Sequence, residues 1–341
     1  MKVANQAATP SSSFKGLNWA DARDNFQADV LYLSGLGPAD THSSASRVAD
    51  RIVGQMYSLT GANTIRMPLN EATVASYWET YTGAIDMALT KGNVILCYWA
   101  AKGGKPLDLT AFRDMWTAVL GVYGANRGVF FEPINEPFGY NPRALNDFYD
   151  DWLAAFPSIT RDRVILDGSG YAQRPATVGR DARLEGCWLG YHEYAFLNSS
   201  ASESAWQRHI QKDVGPYYNR TICTEFGAVM NTGMLGKRLF DRPLDYGAPS
   251  SDEFVRYARA ITSQFRAWGM GSVYWPGVRD NDIYAICTRS GSGSGATLSL
   301  NNESGLALIK YGWGGAPTIG MPSAPARPNL PRRIMARIGL G

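Results

Sequence analysis

Residues 129–140 read VFFEPINEPFGY. An apolar, β-rich run places Glu132 and Glu136 four residues apart and stops at Pro137. A carboxylate at the end of a buried strand has two readings. It is a cap or ion-pair partner, or it stands at the mouth of a cavity, where low dielectric raises its pKa and makes it a general acid near neutral pH. The second reading needs another carboxylate facing it.

Working outward, short β-branched or aromatic runs recur along the chain, each followed by a helical pattern. That alternation marks βαβ units and a parallel sheet. The strands are expected at 14–19 (FKGLNW), 63–68 (NTIRMP), 93–99 (NVILCYW), 128–136, 163–168 (RVILDG), 187–194 (CWLGYHEY), 221–227 (TICTEFG) and 271–277 (GSVYWPG). Eight such units close a barrel, so the fold class is α/β, a single-domain (β/α)8 TIM barrel over 14–314. Residues 1–13 form an N-terminal tail and the Pro-rich 315–341 a C-terminal one. Gly61 and Gly92 are expected to stop helices, Thr110 to start one, and Ser251-Asp252 to start another that stops at Gly269. The stretch 281–302 reads as an irregular insertion before a short final helix in ESGLALIKYGW (303–313).

At 341 residues, with 45% apolar residues, 36 Gly and 10 Trp, the chain can bury a large core and still have aromatic surface to spare. A net charge of +3, with PRRIMAR near the end as the one basic cluster, argues against nucleic acid and anionic membrane as partners. No apolar run of about 18 residues predicts a membrane span. The polar MKVANQAATPSSS carries no signal peptide and reads as a mature terminus preceded by an added Met. Secretion is the expectation, with a cytoplasmic location left open. Cys97, Cys187, Cys223 and Cys287 lack CxxC spacing and are expected to be buried free thiols.

In such a barrel the active site lies at the C-terminal ends of the strands. Those ends carry Asn18 and Trp19, Arg66, Tyr98 and Trp99, Asn135 and Glu136, His192 and Tyr194, Glu225, and Trp275. The second carboxylate is therefore Glu225, at the end of the seventh strand. Two carboxyls about 5 Å apart serve a retaining glycosidase, one protonating the leaving oxygen while the other attacks the anomeric carbon. Arg66, if it reaches Glu225, would hold it ionised and low in pKa.

IRMP, INEP, HEY, TEFG and the late YW, in this order, resemble the strand-end motifs of glycoside hydrolase family 5 and its clan of retaining (β/α)8 enzymes, over about residues 14–314. The resemblance implies Glu136 as acid/base and Glu225 as nucleophile, with Arg66 orienting the nucleophile. It further implies Asn135 on a sugar 2-hydroxyl, His192 and Tyr194 flanking the carboxylates, and Trp275 as the sugar platform. A cis bond from Trp275 to Pro276 is expected by the same likeness. Asn18 and Trp99 complete the expected substrate-binding set. The family often places histidines where this chain has Tyr98 and Trp99, which leaves the sugar undefined. The function implied is a retaining glycoside hydrolase cleaving β-linked neutral oligo- or polysaccharide by double displacement, as a monomer with a carbohydrate partner and no cofactor or metal. Transglycosylation on the same site is the alternative. A divalent-metal sugar isomerase, using Glu136, Glu225 and His192 as ligands, is the alternative from another class.

Other residues carry plainer expectations. Glu132 is read as a structural hydrogen-bond partner deeper in the barrel, Tyr246 and Tyr284 as packing, and His42 and His209 as surface. Trp99 and Phe138 divide evenly between packing and substrate contact. Strand alternation places Cys223 inside the barrel and Cys187 towards the helices, unbridged.

Overall fold

The computed structural model describes residues 11–23, 25–197, 200–318 and 320–325. Most of both expected tails, including PRRIMAR, lies outside the described residues. The strands are β1 (Lys15–Trp19), β2 (Thr64–Leu69), β3 (Asn93–Tyr98), β4 (Val129–Glu132), β5 (Ile165–Asp167), β6 (Trp188–Tyr194) and β7 (Thr221–Gly227). There follow a hairpin of β8 (Gly233–Leu235) and β9 (Arg238–Phe240), then β10 (Ser272–Val278), then a hairpin of β11 (Cys287–Ser290) and β12 (Thr297–Leu300). Helices α1 (His42–Thr60), α2 (Glu71–Ser76), α3 (Trp78–Leu89), α4 (Leu109–Tyr123), α5 (Pro142–Ala155), α6 (Pro175–Gly179), α7 (Glu203–Val214), α8 (Glu253–Trp268) and α9 (Glu303–Gly312) intervene.

Eight strands pair in parallel in the order β4-β3-β2-β1-β10-β7-β6-β5. The remaining seam, β4 against β5, is closed by one parallel bridge, Phe131 to Val164. The result is the expected (β/α)8 barrel. Alternation along each strand sorts its side chains. Leu96 and Tyr98 of β3 pack outward with the helices, whereas Ile95, Cys97 and the following Trp99 belong to clusters inside the barrel. The interior is layered. Phe14, Ile95, Phe130, Ile165, Trp188, Ile222 and Val273 fill the bottom, and Cys97, Trp99, Tyr194 and Trp275 with Ala20 and Leu31 close the top. Between them Asn18, Arg66, Glu132, Asp167, His192 and Thr224 form a buried polar layer joined by hydrogen bonds and close contacts.

Several local expectations change. Gly61 ends α1 in the left-handed conformation as read (φ +74), and α8 runs from its Asp252 cap to Gly269 (φ +64). Gly92 donates its N–H to the Ala88 carbonyl at the end of α3 at 3.1 Å but is not in the left-handed conformation; a β-carbon there would sit 2.2 Å from the carbonyl oxygen of Asn63. The cap of α4 is Asp108, whose carboxylate accepts from Thr110 and Ala111 N–H, so Thr110 is already helical. The 281–302 stretch contains the β11–β12 hairpin.

Two strand boundaries matter for the site. β4 stops at Glu132, so Glu136 lies in the following loop and not on the strand, with φ +47, a conformation non-glycine residues rarely adopt. β7 carries a bulge: Tyr191 pairs with Cys223 and the next residue, His192, with Glu225. Thr224 is the extra residue, so Thr224 and Glu225 both reach His192. Parity is thereby reversed below it. Cys223 packs outward with the helices, against expectation, as does Cys187. All four cysteines are buried and free.

Candidate active site

Arg66, inward on β2, organises the polar layer. Its Nε and Nη2 donate to the two oxygens of Glu132 at 2.7 and 2.6 Å, a planar two-point pairing that lysine could not reproduce. Nη1 donates to Glu225 Oε1 at 2.5 Å and to Asn18 Oδ1 at 2.9 Å, and Nη2 to Asn135 Oδ1 at 2.6 Å. All of this is buried. Removing one member of such a buried ion-pair cluster costs about 3–5 kcal/mol, because it strands the others without a partner.

Glu225 therefore meets Arg66 through one oxygen. Through the other it accepts the Tyr194 hydroxyl at 2.9 Å. Its pKa nevertheless lies above the usual carboxylate range. Burial is the largest cause, Glu136 adds to it, and the pull of Arg66, shared with Glu132, does not reverse it. The expectation that Arg66 holds Glu225 low is thus corrected. Burial also lowers His192 to about 4, so its ring is neutral near pH 7. A neutral ring suits its two neighbours: Nδ1 lies 3.2 Å from Glu136 Oε1 and Nε2 lies 3.0 Å from the Thr224 hydroxyl.

Glu136 is positioned from three directions. Besides His192, its backbone N–H donates to Asp167 Oδ2 at 3.0 Å and its Oε2 accepts from Asn25 Nδ2 at 3.2 Å. Asp167 is fully buried, and desolvation together with Glu132 raises it well above the ordinary range. Neither Asn25 nor Asp167 was expected. Asp167 has a signal in the sequence, since it is two residues beyond the inward Ile165. Asn25 lies in the loop after β1 and has none.

Oxygens of Glu136 and Glu225 and a nitrogen of His192 lie within 4.8 Å of one another. Glu136 and Glu225 open into a cleft of about 680 Å³, which Trp99, Tyr194 and Trp275 also line, whereas His192 lies buried behind them. The Trp99 and Trp275 rings are 5.8 Å apart, and the Trp275–Pro276 bond is cis. Tyr284 lines the cleft too, whereas Tyr246 is buried packing. Asn135, expected on the substrate, is buried beneath the cleft and not among the residues lining it, and its Nδ2 has no hydrogen-bond partner. Asn18 is a correction: Nδ2 donates to the carbonyls of Thr224 and Tyr274 and Oδ1 receives Arg66, so it positions Arg66 and is not among the residues lining the cleft. Arg66 likewise acts from beneath. Glu132 is the structural partner expected. His209, read as surface, is half-buried between Glu193 and Asp213 at 3.0 and 3.1 Å, while His42 is exposed.

No protein-family model and no curated protein matches the sequence. Solved structures do. A mutant endo-β-1,4-glucanase from Xanthomonas axonopodis pv. citri is 14% identical, covers 88% of this chain and 99% of its own, and superposes with a TM-score of 0.59. The two chains share the (β/α)8 fold. A thermostable, halotolerant GH5 cellulase from an Icelandic hot spring isolate (15% identity, 95% of this chain, all of its own, TM-score 0.56) and Cel5A from Hypocrea jecorina (14%, 87% and 100%, TM-score 0.56) share it.

Glu136, His192 and Glu225 are close enough to surround a cation, but the donor set does not fit one. Both Glu225 oxygens already accept hydrogen bonds, and the guanidinium 2.5 Å away would repel a divalent ion.

Proposed function

We infer that this chain is a retaining β-glycoside hydrolase of the family 5 type, acting on a neutral oligo- or polysaccharide. The observation that carries the reading is the approach of Glu136 and Glu225 to within 4.8 Å across the cleft. One oxygen of each carboxyl is thus closer than the roughly 6.5–9.5 Å that an inverting enzyme needs between its carboxyls for water, which favours the closer arrangement of retaining enzymes, about 5–5.5 Å.

In this reading a Glu225 oxygen attacks the anomeric carbon as the glycosidic C–O bond breaks, and the Glu136 proton passes to the leaving oxygen. A water then enters on the same face. Glu136 takes its proton, the water oxygen displaces Glu225, and the sugar leaves with its configuration retained. Arg66 and Tyr194 hold Glu225 in line, and the neutral His192 steadies Glu136 without competing as an acid. The cellulase relatives favour a β-linked glycan as substrate.

The test is proton NMR of the first product released from a β-linked substrate, read before mutarotation, on the wild type and on the two carboxylate variants. The β-anomer is expected. Glu225→Ala should abolish turnover, whereas Glu136→Ala should spare activated aryl glycosides, whose leaving groups need little protonation. An initial α-anomer would overturn the mechanism.

A further inference from the structure

The strand order divides the barrel mouth into two halves. β10, β1, β2 and β3 form one, which carries Trp275 and Trp99. β4, β5, β6 and β7 form the other, and their following loops carry Glu136, Tyr171, Phe196 with Leu197, and Met234 with Leu235. If Trp275 is the platform for the sugar that is attacked, the leaving group departs towards the second half, past Glu136.

That half has an apolar lip. Phe196 is 66% exposed, Met234 57% and Tyr171 39%, all lining the cleft. Leu239, 65% exposed, pairs directly opposite Met234 across the β8–β9 hairpin, so the two share one face. Among the described residues seven large apolar side chains are exposed, and this lip holds four of them. A soluble surface rarely concentrates apolar side chains in this way without a use for them.

The lip is also built. Phe196 stacks on Tyr194 at 4.9 Å and 19°, and Tyr194 donates to Glu225, so the wall runs from the nucleophile outward. Tyr171 stacks on Phe138 at 4.7 Å and 24°, and Phe138 meets Phe26 edge-on at 5.5 Å. A second sugar would need hydrogen-bonding partners around its rim as well as a flat ring beneath it. Leu197, Met234 and Leu235 offer neither, and aliphatic chains suit an alkyl or aryl surface.

We propose that this half of the cleft is a seat for an apolar aglycone, so that the leaving group is a hydrophobic alcohol and not only a further sugar. The proposal rests on the glycosidase reading for its orientation. The products are then a free sugar and the alcohol, whose oxygen receives the Glu136 proton.

The test compares butyl and octyl β-glycosides, across a panel of sugars, on wild type and on the Phe196→Ser, Met234→Ser double variant. Both residues are exposed, so the variant should melt with the wild type. A fully buried methylene is worth about fourfold in affinity (~0.8 kcal/mol), and a half-buried one about twofold. Four extra methylenes should then raise kcat/KM about fifteenfold in the wild type and about twofold or less in the variant. A flat response in an active enzyme overturns the proposal. Calorimetric titration with butyl and octyl 1-thio-β-D-glucopyranoside, which resist hydrolysis, separates the seat from the chemistry. Tighter octyl binding, lost in the variant, supports the seat even in a protein that cleaves nothing, a result that would sink the hydrolase reading alone. Equal affinities, or no binding of either, overturn it.

Discussion

Replacing Gly190 by alanine should damage the site through a residue that touches no substrate. Gly190 lies inward on β6, beside the end of β5. A β-carbon built there stands 1.9 Å from Asp167 Oδ1 and 3.2 Å from Asp167 Cα. Ordinary contact begins near 3.4 Å, so the carboxyl must retreat by about 1.5 Å, and the nearby backbone limits where it can go. Retreat also draws Oδ2 away from the Glu136 N–H it accepts at 3.0 Å. Overpacking costs about 1–3 kcal/mol, and a buried N–H left unpaired about 1–3 more. A loss of about 2–6 kcal/mol, at roughly 2 °C per kcal/mol for a chain of this size, lowers Tm by about 4–12 °C. Because Glu136 moves with its peptide, kcat should fall as much as a hundredfold, the usual result of a 1 Å misplacement. Scanning calorimetry and turnover of an aryl glycoside read the two effects. Gly54→Ala is the control: on α1 its β-carbon would meet only the Lys91 side chain, from 3.5 Å outward, and it should stabilise slightly. The overlap vanishes with Asp167→Ala, so the double variant should melt with Asp167→Ala alone. A Gly190→Ala protein with wild-type Tm and activity would refute the assigned place of the Asp167 carboxyl.

Asp167→Asn should be nearly silent in Tm. Burial and Glu132 push the carboxyl towards its protonated form, and an amide has the same shape and still accepts the Glu136 N–H; a loss above about 3 kcal/mol in urea unfolding would mean that it is charged. His192 makes stability fall on acidification. Its folded pKa of about 4 lies below the ordinary value, so between about pH 6.5 and 4 the unfolded chain binds a proton that the native one refuses. Stability therefore rises with pH across that window, by on the order of 3 kcal/mol from this residue. Urea unfolding at pH 7, 5.5 and 4.5 should show that slope reduced in His192→Gln, and an equal slope in both proteins would show that burial does not lower the His192 pKa.

Most of the barrel was legible because its signals are local. Each strand is a short β-branched or aromatic run, each is followed by a helical pattern, and the polar residues collect at the strand ends. Glu136 and Glu225 were legible on the same ground, as were Arg66 beneath Glu225 and Tyr194 beside it. The bulge at Thr224 was not. One inserted residue reverses the parity of everything below it, and nothing in TICTEFG distinguishes a regular strand from a bulged one. Cys223 was misplaced for that reason. Asn25 was out of reach, since its bond to Glu136 spans 111 residues and depends on how a loop crosses the barrel mouth.

The reading of Glu225 failed for a deeper reason. A pairing rule gives each carboxylate a cation, and the sequence offers Arg66 opposite Glu225. In the fold the same guanidinium binds Glu132 through two atoms and Glu225 through one. Whether Glu225 lies low or high in pKa depends on how one positive charge is divided in a medium that also penalises every charge in it, and that division is a property of the closed barrel. The outcome suits the chemistry proposed. A carboxylate held very low by a dedicated cation is a poor nucleophile, whereas one held in place by Arg66 and Tyr194 but raised by burial keeps its basicity for the attack.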